Sequence, residues 1–110
     1  MKPARLFILA LGLYTAVQLP SLGQSDRKDV AAGKDVFEAE CISCHNADST
    51  EEKDGPGLKG VKDGKLPSGS AATRDAILEL INKGREGMPP FKEKLTEPQK
   101  ENVVAYVLTL

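Results

Sequence analysis

The chain has 110 residues, a formal net charge of -1, two cysteines and one histidine. This length fits one small domain and excludes a multidomain enzyme. The near-neutral charge and the lack of a run of basic residues exclude a nucleic-acid-binding protein, because such proteins neutralise many phosphates with clustered lysine and arginine.

The N-terminal segment has the features of an export signal. Two basic residues precede an apolar stretch at 6–17, and a proline and small residues follow it. The stretch is shorter than the about 20 residues that span a bilayer. We therefore predict a signal peptide at residues 1–23, with cleavage near Gly23 or Gln24, and a domain at 24–110. Export to the periplasm follows, with an uncleaved membrane anchor as the alternative.

The first predicted helix runs from about Asp26 to Glu40. Val30, Gly33 and Phe37 recur at spacings of three and four residues and form one stripe of an amphipathic helix. A glycine inside a helix costs about 1 kcal/mol relative to alanine. We therefore expect a packing reason for Gly33, most simply the close approach of another helix.

Two more helices are predicted, separated by segments rich in glycine and proline. Residues 46–72 are predicted to form a loop, and a connection this long is expected to have a function, such as wrapping a bound group. A short helix at Thr73–Lys83 follows, with Thr73 as its N-cap and a glycine after its end. An irregular segment at 85–95 precedes the last helix, which opens at a capping box at Thr96 and extends to Leu110. No strand pattern is visible, so the predicted fold is all-α, with three to four helices and long loops.

The most specific motif is Cys-Ile-Ser-Cys-His at residues 41–45. This is the c-type haem attachment pattern, in which Cys41 and Cys44 reach the two vinyl groups of a porphyrin and His45 becomes the proximal iron ligand. Three other interpretations of the motif fit the sequence less well. A zinc site lacks a second pair of ligands, a thioredoxin-like redox pair lacks its βαβ unit, and a structural disulfide leaves the histidine and the long loops unexplained.

With this motif in place, residues 30–110 resemble a class I monohaem cytochrome c of the small bacterial type. The segment Gly55–Gly60 is similar to the family's Gly-Pro-x-Leu-x-Gly loop, and Gly87–Pro89 is similar to its methionine ligand loop. The resemblance implies one haem c, attached through Cys41 and Cys44, with Met88 as the second axial ligand. A methionine is more often a filler of core gaps, but Met88 is the only one outside the signal segment.

The resemblance also assigns the surroundings of the haem. It implies that the Pro56 carbonyl accepts a hydrogen bond from the His45 ring, and that the last helix crosses the first near Tyr106. An apolar set is expected to pack against the porphyrin, although its members fit an ordinary core equally well: Leu58, Ile77, Leu78, Ile81 and Phe91. Many relatives place a tryptophan near a haem propionate, and this chain has no tryptophan.

The expected function is one-electron transfer by Fe(III)/Fe(II) cycling, and not enzymatic catalysis, because two axial ligands leave no iron position for a small-molecule substrate. The partners are expected to be redox proteins, including membrane-associated ones met transiently. Two alternatives stay open: a subunit of a larger dehydrogenase or oxidase complex, and a haem sensor or weak peroxidase in which Met88 is displaced.

The charges are unevenly distributed along the chain. Residues 26–54 hold four basic and nine acidic side chains, whereas residues 59–94 hold eight basic and five acidic ones. Such asymmetry can steer the encounter with an acidic partner, and a merely solvated surface is the alternative. The basic residues of this hypothesis are Lys59, Lys62, Lys65, Lys83, Arg85, Lys92 and Lys94.

Overall fold

A computed structural model of the protein describes Gly12 and residues 29–110. This part of the chain contains three α-helices, α1 (Val30–Glu40), α2 (Arg74–Lys83) and α3 (Glu97–Val107). A single turn of 3-10 helix at Val61–Asp63 lies between α1 and α2. Within residues 29–110 there is no β-strand, only two isolated bridges. The predicted all-α fold with long loops is therefore confirmed.

The predicted signal peptide at residues 1–23 lies outside the described residues, apart from Gly12. Among the described helices, none combines the length and the apolar character needed to cross a membrane.

The helix N-termini are fixed by side-chain caps. Helix α1 begins at Val30, so the prediction that it starts at about Asp26 is wrong. The backbone of Asp29 is extended, and its carboxylate accepts a hydrogen bond from the Ala32 N–H at 3.0 Å. An N-cap residue has non-helical dihedral angles, so the helix starts one residue later. Thr73 caps α2 in the same way, accepting from the Ala76 N–H at 3.1 Å.

Helix α3 opens with the predicted capping box. The Thr96 hydroxyl accepts from the Gln99 N–H at 3.3 Å, and the Gln99 side chain accepts from the Thr96 N–H at 2.9 Å. The helix ends at Val107 and not at Leu110, because Leu108 forms the C-cap and the last residues turn back. The carbonyl of Leu110 instead accepts from the Lys62 N–H at 2.8 Å.

Helices α1 and α3 cross at Gly33. A β-carbon at this position would overlap the backbone carbonyl of Asn102 and would lie 3.0 Å from the β-carbon of Tyr106. Beside the crossing, the rings of Phe37 and Tyr106 pack with their centroids 5.3 Å apart. The close approach predicted from Gly33 is therefore present, and it brings the first and last elements of the described chain together.

The buried core joins all three helices and the segment before α3. Phe37 of α1, Ile77 and Ile81 of α2, and Val103 and Val104 of α3 are all buried. The remaining buried apolar side chains complete the same cluster: Val61, Phe91, Leu95 and Val107. Several of these side chains also form the wall of a large cavity, so the core and the candidate site are continuous.

Candidate functional site

All six residues predicted to bind the cofactor line one cavity of about 770 Å³. This volume falls within the range of about 300–1,000 Å³ typical of small-molecule and cofactor sites. The six residues come from the end of α1, the loop after it and the turn before Phe91: Cys41, Cys44, His45, Pro56, Leu58 and Met88.

The His45 ring is held in one orientation by the loop that follows it. Its Nδ1 lies 2.8 Å from the carbonyl oxygen of Pro56. A carbonyl can only accept a hydrogen bond, so this contact places the proton on Nδ1 and leaves the lone pair of Nε2 for a metal ion. On the other side, a β-carbon at Gly55 would lie 2.6 Å from Cε1 of the ring. Gly55 therefore forms a cradle that only a residue without a side chain provides.

Both cysteines of the motif are free thiols at the edge of the cavity. Cys41 is the C-cap residue of α1, and its N–H donates to the carbonyl of Phe37 at 2.8 Å. The pKa of the Cys41 thiol is raised to about 11, chiefly by burial and also by Glu40 and Cys44, while Lys94 acts in the opposite direction. Without a bound group, Cys41 is thus an uncharged thiol at neutral pH.

Met88 lies in a tight turn that is attached to α2. The Arg85 N–H donates to the Met88 carbonyl at 3.1 Å, and the Met88 N–H donates to the Arg85 carbonyl at 2.8 Å. Gly84 ends α2 with a φ of +65°, and a β-carbon there would overlap the Met88 carbonyl. After the two prolines, the Phe91 N–H donates to the Ile81 carbonyl at 2.8 Å. The methionine is therefore positioned by backbone contacts on both sides.

The apolar wall of the cavity differs from the predicted set at one position. Leu58, Ile77, Ile81 and Phe91 line the cavity as expected, but Leu78 does not. Leu78 packs against the core from a partly buried position, and Leu80 lines the cavity instead. Residues 78 and 80 flank the stripe formed by Ile77 and Ile81 on opposite sides, and the cavity lies on the side of residue 80.

The sequence predicts Arg85 and Lys94 only as part of a basic surface and does not place them at the cavity. Lys94 Nζ lies 2.7 Å from a carboxylate oxygen of Glu40, and the same ammonium lies 5.4 Å from the centroid of the Phe91 ring. Arg85 also lines the cavity. No local sequence signal could pair Glu40 with Lys94, because these residues lie on segments that only the tertiary fold brings together.

Comparison with known proteins identifies the family. The family model described as "Cytochrome C oxidase, cbb3-type, subunit III" matches residues 28–107. A cytochrome c6 from Rippkaea orientalis is 38% identical over 98% of this chain and 93% of its own length. A cytochrome c6 from a Synechococcus species is 36% identical over 94% of this chain and 88% of its own length.

A solved structure supports the same assignment. The cytochrome c6 of the diatom Phaeodactylum tricornutum superimposes with a TM-score of 0.61 at 29% identity, covering 74% of this chain and 92% of the diatom protein. Together with the Cys-x-x-Cys-His motif at the cavity edge, these similarities confirm the predicted resemblance: the chain belongs to the c-type cytochrome family and is similar to the cytochromes c6.

Proposed function

We propose that the protein is a monohaem c-type cytochrome that carries single electrons, with His45 and Met88 as the axial ligands of the iron. Family membership supports an electron carrier similar to the cytochromes c6 and not an enzyme. The observation that carries the proposed ligation is the orientation of His45, which is fixed through Pro56 inside the cavity that also contains Met88 and both cysteines.

The residues present fit one haem c. Cys41 and Cys44 provide the two attachment thiols, and the imidazole Nε2 and the thioether of Met88 are donors that suit haem iron. The cradle at Gly55 gives the ring of His45 its position. The side chains of Ile77, Ile81 and Phe91 form an apolar part of the cavity wall, against which a porphyrin can pack.

When bound, haem c supplies an iron that cycles between Fe(III) and Fe(II). The chain's own residues determine what that iron can do. The hydrogen bond from His45 to the Pro56 carbonyl raises the basicity of the ring and holds its plane. A thioether ligand raises the reduction potential. With His45 and Met88 as ligands, no coordination position is left for a substrate, so the site suits electron transfer and not bond chemistry.

A subunit of a larger complex is a second candidate, because the matching family model is described as an oxidase subunit. Against this, the chain covers 88% or more of the length of the cytochromes c6 compared above, so it corresponds in size to a whole carrier. Copurification of a stable partner with the native protein would favour the subunit; isolation as a lone holoprotein favours the carrier.

We further propose that the carrier is exported to the periplasm and meets redox proteins transiently. The hypothesis of a basic docking surface needs revision, because Lys83 is paired with Glu79 at 2.7 Å and Lys94 with Glu40. The remaining basic residues of that hypothesis have no ion-pair partner among the described residues: Lys59, Lys62, Lys65, Arg85 and Lys92.

Expression in a host that attaches haem to c-type cytochromes tests the proposal. The purified protein is expected to be red and to have an intact mass equal to the polypeptide plus one haem. The Cys41→Ser and Cys44→Ser double variant is expected to lose this added mass, because no thioether bond can form. A colourless wild-type protein with the mass of the bare polypeptide would contradict the proposal.

A further inference from the structure

The cavity wall contains two cationic side chains, Arg85 and Lys94. The two side chains differ in whether a carboxylate already neutralises their positive charge. Lys94 is paired with Glu40, the residue directly before Cys41, so its ammonium is held beside the attachment cysteines. Arg85 has no carboxylate partner within residues 29–110, although Glu86 follows it in the chain. Arg85 is therefore the cation of this wall that is free to bind a carboxylate from a ligand.

Arg85 lines both the cavity and a second groove that the attachment segment does not line. A shallow groove of about 390 Å³ adjoins the cavity and shares four lining residues with it, Leu66, Ser68, Leu80 and Arg85. No residue from 30–58 lines this groove. Cys41, Cys44 and His45 all belong to that segment, so none of them lines the groove that Arg85 shares with the cavity.

The chemistry of haem places its two carboxylates away from the edge that forms thioethers. A carboxylate that enters a partly apolar site without a partner carries a large desolvation cost. A guanidinium offsets this desolvation cost, because its planar group can donate two parallel hydrogen bonds to the two carboxylate oxygens. Ser68 lies on the same wall, but its hydroxyl already donates to that of Ser70 at 3.2 Å, so the guanidinium is the donor that this wall offers.

We infer that Arg85 binds a haem propionate and that this contact helps to position Met88. The inference rests on the proposed function, since it requires an attached haem. The reciprocal backbone hydrogen bonds between Arg85 and Met88, at 3.1 and 2.8 Å, join the cation to the turn that carries the axial ligand. Lys83, the other cation of the groove, is excluded because it is paired with Glu79 and does not line the cavity.

The test compares the reduction potential of the wild-type, Arg85→Gln and Lys92→Gln holoproteins between pH 5 and 9. Loss of the Arg85 charge is expected to raise the pKa of the propionate by about one unit or more. The pH range in which the potential falls with rising pH therefore shifts upward in Arg85→Gln. At neutral pH its potential is expected to be lower than that of the wild type, because a nearby positive charge favours the ferrous state.

Lys92→Gln is the matched control, because Lys92 is exposed on the same segment and does not line the cavity. It removes the same charge and is expected to leave the pH range of the transition unchanged. An Arg85→Gln curve that superimposes on the Lys92→Gln curve overturns the inference. An Arg85→Lys variant keeps the charge but not the planar fork, so its transition is expected to lie between those of the wild type and Arg85→Gln.

A second measurement covers the case in which Arg85→Gln accumulates no holoprotein. The carboxyl carbons of isotopically labelled haem are followed by NMR in the wild-type protein as the pH is lowered. One propionate is expected to stay ionised well below the pH at which the other is protonated; two propionates that titrate together overturn the inference. Failure of the proposed function itself is distinct, because the wild-type protein would then show no added haem mass.

Discussion

Gly55 shows how a single residue without a side chain determines the geometry of the site. Its α-carbon lies so close to the His45 ring that a β-carbon would be 2.6 Å from Cε1. The ring is confined on its other side by the hydrogen bond to Pro56. The space for the imidazole is therefore set by the Gly-Pro sequence and not by bulky side chains.

Gly55→Ala is expected to displace the His45 ring and to destabilise the holoprotein by about 1 to 3 kcal/mol, the cost of overpacking a confined site. Denaturant unfolding gives the stability, and the paramagnetically shifted ring protons of His45 report the displacement. Gly64→Ala serves as the control, since Gly64 has a φ of +100° but open space around it. That variant should lose stability through backbone strain while the His45 resonances keep their positions. Unmoved His45 resonances in Gly55→Ala would refute the cradle.

At the scale of elements, the crossing of α1 and α3 holds the two ends of the described chain together. Gly33 permits this crossing because its missing side chain leaves room for the carbonyl of Asn102. The Asn102 side chain strengthens the contact by accepting a hydrogen bond from the Asp29 N–H at 3.0 Å. The haem motif directly follows α1, so this crossing also fixes where the attachment segment begins.

Gly33→Ala separates helix propensity from packing. Propensity alone would stabilise the helix by about 1 kcal/mol, whereas the overlap with Asn102 is expected to destabilise the protein by about 1 to 3 kcal/mol. Chemical denaturation of the holoprotein measures the free energy of unfolding, which contains both the propensity and the packing contribution. Ala31→Gly, at an exposed position of the same helix, measures the propensity contribution alone. A Gly33→Ala protein at least as stable as the wild type would show that the helices do not need the glycine.

Short-range sequence patterns predict the helices of this protein well, but they do not predict which charged residues line the cavity. The caps at Thr73 and Thr96 were predictable because each depends on residues three positions apart. The start of α1 was misplaced because an aspartate can continue a helix or cap it, and only the backbone angles of Asp29 distinguish the two. Leu80 was missed because Leu78 and Leu80 flank the stripe of Ile77 and Ile81 on opposite sides, and only the tertiary fold shows which side faces the cavity.

The roles of the two cationic residues of the cavity wall could not be predicted from the sequence for a different reason. Arg85 and Lys94 both appear in the sequence as members of a basic segment, with nothing to separate them. The structure gives Lys94 a partner at Glu40 and leaves Arg85 facing the cavity. Which charges are neutralised depends on contacts between distant segments, and no spacing rule within one segment contains that information.

At the scale of the whole molecule, the charge asymmetry predicts a salt-dependent encounter. Electron exchange with an acidic redox protein is expected to slow as ionic strength rises, because salt at 0.1 M screens charges beyond about 10 Å. Stopped-flow measurement over a range of salt concentrations gives this dependence. A Lys59→Glu and Lys62→Glu double variant should weaken it, while Lys34→Glu, a control in the acidic segment, should change it less. Rates that do not respond to salt would count against steering.

The proposed function depends most on Met88, which we propose coordinates the iron together with His45 and so makes the protein an electron carrier. The most direct measurement is the absorption spectrum and reduction potential of the holoprotein beside those of Met88→Ala. Met88→Ala is expected to lose the weak sulfur-to-iron band in the far red and to have a lower reduction potential, because the thioether is gone. Its reduced form is also expected to bind carbon monoxide, which the wild type does not bind. An unchanged spectrum and potential in Met88→Ala would contradict this role of Met88.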